Sequence, residues 1–141
     1  MIDKIKKVLQ DASEVIKDQT NALGDGAKER SFRLIEEWLQ IFPRLESYGF
    51  EMTSFSLGVA ISPSVEVELT APHGQFPMPK IQAIIEENKK TSAINTVFTT
   101  IRTAYQLHEK TTSPVREPLI VKIRIRISPE IKVFIGEPII Q

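Results

Sequence analysis

One phrase occurs twice in this chain, and it limits the folds available to the rest. The segment 61–72 returns at 127–138, 66 residues later, with Ile61, Ser62, Pro63, Val67 and Pro72 recurring as Ile127, Ser128, Pro129, Val133 and Pro138. Val65 and Leu69 are each replaced by another branched aliphatic residue, Ile131 and Ile135. The period exceeds that of common solenoid repeats, so a duplicated supersecondary unit is expected. Before each Ser-Pro, apolar residues alternate with small or polar ones: Phe55, Leu57, Val59 and Ile61 in the first copy, Val121, Ile123, Ile125 and Ile127 in the second. After it, Val65, Val67 and Leu69, then Ile131, Val133 and Ile135, continue the alternation. A period of two means strands with one buried face.

Every apolar position in these strands is odd-numbered, and opposed residues of an antiparallel pair share a face. The register must therefore pair odd with odd, for example Val59 with Val67 and Leu57 with Leu69, around a three-residue loop 62–64. Proline fits such a loop because it has no N–H for the ladder.

The helices follow from a period near 3.6. Ile2, Ile5, Leu9, Ala12, Ile16, Gln19 and Leu23 form a stripe over 2–23, ending near Gly24-Asp25-Gly26. Three roles compete for it: packing on the chain's own core, pairing with a partner helix, and lying on a membrane surface. Asp3, Asp11, Glu14 and Asp18 dilute the positive charge that the membrane role needs.

A second helix over 27–47 carries Phe32, Ile35, Trp38, Leu39 and Phe42, with Pro43 as a point of bending or early ending and Gly49 as its stop. Pro79 suits the first turn of a helix over 80–90, and the polar run 88–92 breaks it from another over 93–110. Shifted by the repeat distance, Phe32 meets Phe98 and Ile35 meets Ile101, so the duplicated unit is expected to include a helix.

The expected architecture is α+β in a single domain. A helix–hairpin unit at 27–72 and another at 93–141 form a four-stranded antiparallel sheet, related by a pseudo-two-fold, with helices on the odd-residue face. Residues 1–26 supply the N-terminal helix and glycine turn, and 73–92 a linker and short helix. Two hairpins joined under helices can hold a core that one hairpin cannot.

Composition narrows the function. The chain has no cysteine, which removes disulfides, thiolate metal sites and cysteine nucleophiles and fits a cytoplasmic protein. Charges from Asp3 onward interrupt the apolar core that a secretory signal needs, and no stretch is apolar enough for a membrane span. Net charge is zero, which argues against wholesale nucleic-acid binding. The halves differ: 8 basic and 12 acidic residues in 1–72 against 10 and 6 in 73–141, or −4 and +4. They could attract each other within or between chains.

Glycine-rich phosphate loops, zinc-protease motifs and nucleophile elbows are absent. His73 and His108, the two histidines, stand apart in sequence, and nothing marks either as a catalytic or metal-binding residue. Glu66 and Glu68 share a strand face about 7 Å apart, but with no apolar pocket to separate their pKa values. Neither catalysis, nor a metal, nor a cofactor is expected.

Two surfaces remain. Lys122, Arg124, Arg126 and Lys132, with Phe134 among them, form a basic outer strand face able to hold a nucleic-acid or other phosphorylated ligand. The same cations could instead pair with Glu66 and Glu68. Ser54, Ser56, Gly58 and Ala60 form an unusually small, uncharged outer face, which suits close approach by another layer. The functional expectation is a non-enzymatic interaction or assembly module that self-associates, as a homodimer or larger. The contact would be the N-terminal helix (Ile2, Ile5, Leu9, Ile16) or the small-residue strand face. The alternative is an anionic-ligand module on the basic face.

Overall fold

A computed structural model describes residues 25–60 and 62–139, with side chains from 29 onward. In chain order these are α1 (Asp25–Ser47), β1 (Glu51–Val59), β2 (Pro63–Ala71), a 3-10 turn (His73–Gln75), α2 (Met78–Glu87), α3 (Ser92–Glu109), β3 (Leu119–Ile125) and β4 (Pro129–Ile135). The four strands make one antiparallel sheet in the order β1-β2-β3-β4 with the helices on one face, so the fold is α+β. The N-terminal stripe with Ile2, Ile5, Leu9 and Ile16 lies outside the described residues.

The boundaries follow local chemistry. Asp25 and Gly26 belong to α1, where the sequence suggested a break, and the helix also runs through Pro43 to Ser47. Gly49, at φ +130°, then turns the chain out, its N–H bonded to the Glu46 carbonyl at 3.0 Å. The positive φ favours glycine here, and a side chain would also have to push the Gln75 side chain aside. Pro79 lies in the first turn of α2, and Asn88 to Thr91 separates α2 from α3 as the polar run implied. Asn88 holds that corner. It is 2% exposed, accepts from Arg44 Nη2 at 2.8 Å, and donates to the Tyr48 hydroxyl and the Ile84 carbonyl.

Odd pairs with odd in both hairpins, but each turn is centred two residues earlier than expected, so every residue's partner lies four residues from the expected one. Leu57 faces Val65 and Val59 faces Pro63, and in the second hairpin Ile125 faces Pro129. The chain therefore turns between Ala60 and Ser62 and between Arg126 and Ser128, and each proline opens a strand. In each turn the first residue donates to the third: Ala60 N–H to the Ser62 carbonyl and Arg126 N–H to that of Ser128, both 3.4 Å. Narrow bonded and wide non-bonded pairs alternate along an antiparallel ladder, so Pro63 and Pro129 fall at wide pairs, where no N–H is required.

The expected pseudo-two-fold does not relate the repeated segments. With all neighbours antiparallel, β1 and β3 run in the same direction, as do β2 and β4. A two-fold through the sheet would exchange β1 with β4, whereas the sequence match links β1 to β3. The matching segments are offset by two strands across the sheet.

The core lies between the helices and the odd residues of β2 and β3: Val65, Val67, Leu69, Val121, Ile123 and Ile125. Phe98 of α3 is fully buried among Tyr48, Phe50 and Phe76, with ring centroids 5.5, 6.1 and 5.7 Å away. One expectation fails here. Phe55, Leu57 and Val59 occupy the same sheet face as this core yet are 52%, 42% and 36% exposed. The reason is lateral: among the described helices, α1 lies chiefly over β2 and β3 and α3 over β4, and neither extends over the helix side of β1.

Candidate interaction surface

β1 is an edge strand, and after Glu51 its nine-residue stretch is unlike the opposite edge. From 52 to 60 the chain reads Met-Thr-Ser-Phe-Ser-Leu-Gly-Val-Ala, without charge or proline. Natural edge strands are usually guarded by charges, prolines or a covering element, because their unpaired N–H and C=O groups invite another strand. β4 has such guards. It opens with Pro129, carries Glu130 and Lys132, and packs against α3.

The ladder identifies the free groups on β1. The turn bond makes Ala60 and Ser62 a narrow pair, so the alternation makes Gly58, Ser56 and Ser54 narrow-pair residues too. Their backbone groups point toward β2. Those of Phe55, Leu57 and Val59 point outward, away from the sheet. The residues with exposed apolar side chains are thus the ones with unpaired backbone groups. A β-bulge at Thr53, between Met52 and Ser54, ends the regular ladder. Thr53 Oγ1 bonds across to Glu68 Oε1 at 2.9 Å and to Thr70 Oγ1 at 3.1 Å.

Ser54, Ser56, Gly58 and Ala60 lie together on the outer face, all exposed. A Cβ added to Gly58 would come within 2.7 Å of Ser64 Oγ, so this glycine fits its cross-strand neighbour within the hairpin.

The basic face is brought together in part. Lys122, Arg124, Lys132 and Phe134 line a shallow pocket of about 130 Å³ with Glu66 and Glu130. Arg126 stands apart, in the exposed turn. The register sets Arg124 between Glu66 and Glu130, and Lys122 between Glu68 and Lys132. Lys132 also lies 3.9 Å from Glu130. Lys122 Nζ sits 5.3 Å from the centre of the Phe134 ring, which itself lies opposite the buried Ile120. Three carboxylates interleaved with three cations leave this row close to neutral. That arrangement favours cross-strand charge pairing over anion capture, although Lys122 and Lys132 do face each other directly.

A third cluster escaped sequence reading because its members are far apart in the chain. His73 Nε2 lies 2.6 Å from the Arg116 carbonyl, its Nδ1 2.6 Å from the Tyr105 hydroxyl, and its backbone N–H donates to Glu117 Oε1 at 3.0 Å. A carbonyl only accepts, so Nε2 carries the hydrogen; in the neutral ring Nδ1 then accepts from Tyr105. These bonds fasten the segment before β3 to the 3-10 turn and α3. Burial, then the Glu117 carboxylate, pushes the Tyr105 hydroxyl up to about 12.

A raised pKa means that the folded chain holds this proton more tightly than the unfolded chain. Its stabilising contribution is full below about pH 10 and is lost as pH rises toward about 12. The absorbance change of tyrosinate should therefore include a component near pH 12 that Tyr105→Phe removes. The wild type should also lose melting temperature more steeply than the variant from pH 10 to 12.

His108 lies in the last turn of α3, separate from this cluster. Among the described residues, no group of three or more His, Asp or Glu could hold a metal ion, and no helix is long and apolar enough to cross a membrane. No protein-family model, curated protein or solved structure matches this chain.

Proposed function

We propose that this chain is a non-enzymatic interaction module that assembles with a second copy of itself through β1. The observation that carries this reading is the coincidence on one edge strand of a run without charge from 52 to 60 and an exposed apolar stripe, Phe55, Leu57 and Val59. Adding a strand to such an edge satisfies backbone groups and buries alternate side chains at once. The like hairpin registers and turn bonds at 60–62 and 126–128 support a duplicated hairpin as the scaffold. On this reading the copies have diverged at their edges: Gly58 stands where the second has Arg124, Ser56 where it has Lys122, and Glu66 where it has Lys132.

The reading is tested by sedimentation velocity on the full chain across a concentration series. The expected result is a reversible shift from monomer to a larger species as concentration rises. A strict monomer throughout would contradict it.

The anionic-ligand reading of Lys122, Arg124, Arg126 and Lys132 is secondary. It rests on the direct opposition of Lys122 and Lys132, and Glu66 and Glu130 in the same pocket work against it.

A further inference from the structure

Resting on that self-association, we infer the geometry of the contact: two copies of β1 pair antiparallel about a two-fold axis at Leu57, giving a closed dimer with a continuous eight-stranded sheet. Three features of the strand select this arrangement.

The first is backbone availability. Only the odd residues 55, 57 and 59 present outward N–H and C=O groups, by the alternation that the Ala60–Ser62 bond starts. Pairing Leu57 with Leu57 of the second copy, and Phe55 with Val59, uses all of them in six hydrogen bonds. A shift by two residues toward the bulge leaves Val59 unmatched, and a shift by one turns each apolar residue to the wrong face.

The second is self-complementarity of size and charge. About Leu57, the stripe pairs an aromatic with a β-branched residue at both flanks, a favourable cross-strand combination. On the outer face the same register sets Ser56 against Gly58 and Ser54 against Ala60, small against small. No charge falls between 52 and 60, so the symmetric contact juxtaposes no like charges. The small-residue face thereby becomes part of the junction, lying flat beside it rather than under a further layer.

The third is closure. An isologous contact uses one edge of each copy and ends there, whereas joining β1 to β4 would continue into a filament. Pro129, Glu130, Lys132 and the packed α3 guard β4, so growth stops at two.

The absence of cysteine permits a direct test on the full chain, since each single-cysteine variant carries one thiol. Opposed residues of a narrow pair have Cα atoms about 5.5 Å apart, within disulfide reach. Leu57→Cys should cross-link to itself under mild oxidation, giving a band at twice 16.0 kDa on non-reducing gels. In Phe55→Cys or Val59→Cys, equivalent thiols would be four residues out of register, roughly 14 Å along the strand. Each alone should cross-link at least roughly tenfold more slowly than Leu57→Cys, while an equimolar mixture of the two should form the mixed dimer.

Wild-type sedimentation separates the possible failures. A dimer in which Phe55→Cys or Val59→Cys self-links faster than Leu57→Cys overturns this register and leaves self-association standing. Species growing beyond the dimer overturn closure. A wild-type chain that stays monomeric overturns the self-association itself, and the register with it.

Discussion

Leu57→Lys should convert the assembled chain to a monomer without unfolding it. In the symmetric pairing the two substituted residues face each other at the axis, so each contact loses two apolar side chains and gains two opposed ammonium groups. Two unit charges about 5.5 Å apart repel by about 0.8 kcal/mol in water and about 3 kcal/mol at an effective dielectric of 20. Each 1.4 kcal/mol is tenfold in affinity, so the dissociation constant should rise by between roughly fourfold and a hundredfold from repulsion alone. The folded monomer should be nearly indifferent, because Leu57 is already 42% exposed there and lysine is a common guard of natural edge strands. Sedimentation should show the loss of the larger species, and the urea midpoint of dilute samples should barely move. A lysine variant that still assembles like the wild type would remove β1 from the interface.

Phe98→Ala should have the reverse profile, a large loss of stability rather than a specific loss of assembly. Phe98 is fully buried, and its ring touches Tyr48 from the α1–β1 corner, Phe50 before β1 and Phe76 after the 3-10 turn. Removing a buried phenylalanine costs about 3–5 kcal/mol, from lost transfer energy and the cavity left behind. Against a total of about 5–15 kcal/mol for a domain, that is a large fraction. At about 2–4 °C per kcal/mol for a chain near this size, the melting temperature should fall by on the order of 10 °C. Phe55→Ala provides the contrast. The residue type is the same, but Phe55 is 52% exposed, so monomer stability should change by under about 1 kcal/mol while assembly weakens. A small melting shift for Phe98→Ala would contradict the central position assigned to that ring.

How much of this was legible depends on whether the signal was local. Alternation at Val65, Val67 and Leu69 and at Val121, Ile123 and Ile125 gave the strands, their faces and the odd-to-odd pairing, because side-chain direction has period two. Gly49 and the polar run at 88–91 marked helix ends for equally local reasons. The pairing differs from the expected one by four residues because proline's missing N–H points to a place in the turn. A wide pair tolerates proline just as well, and Pro63 and Pro129 sit at such pairs.

The failure over β1 teaches more. Alternation in Phe55, Leu57 and Val59 shows that one face is apolar, but not that a helix lies over it. Coverage depends on where α1 and α3 cross the sheet, which is a long-range property. The Thr53 bulge and the His73–Tyr105 contact, between residues 32 apart, were hidden for the same reason.

The candidate site was half visible. Ser54, Ser56, Gly58 and Ala60 are visible in the sequence as small and uncharged, which suits a surface approached by another layer. The lack of any charge from 52 to 60 was the stronger clue, since it distinguishes an open edge from a guarded one. Across the sheet, the basic residues read as a binding face turn out to stand in line with Glu66, Glu68 and Glu130. The opposite charges of the two halves meet there.

The central claim is that copies meet along the β1 edge, and amide hydrogen exchange resolved by residue tests it most directly. The outward amides of Phe55, Leu57 and Val59 should exchange freely in dilute solution and become protected as concentration rises, while the core amides of β2 and β3 stay constant. Exchange at these three amides that is independent of concentration, in samples that do self-associate, would contradict the account.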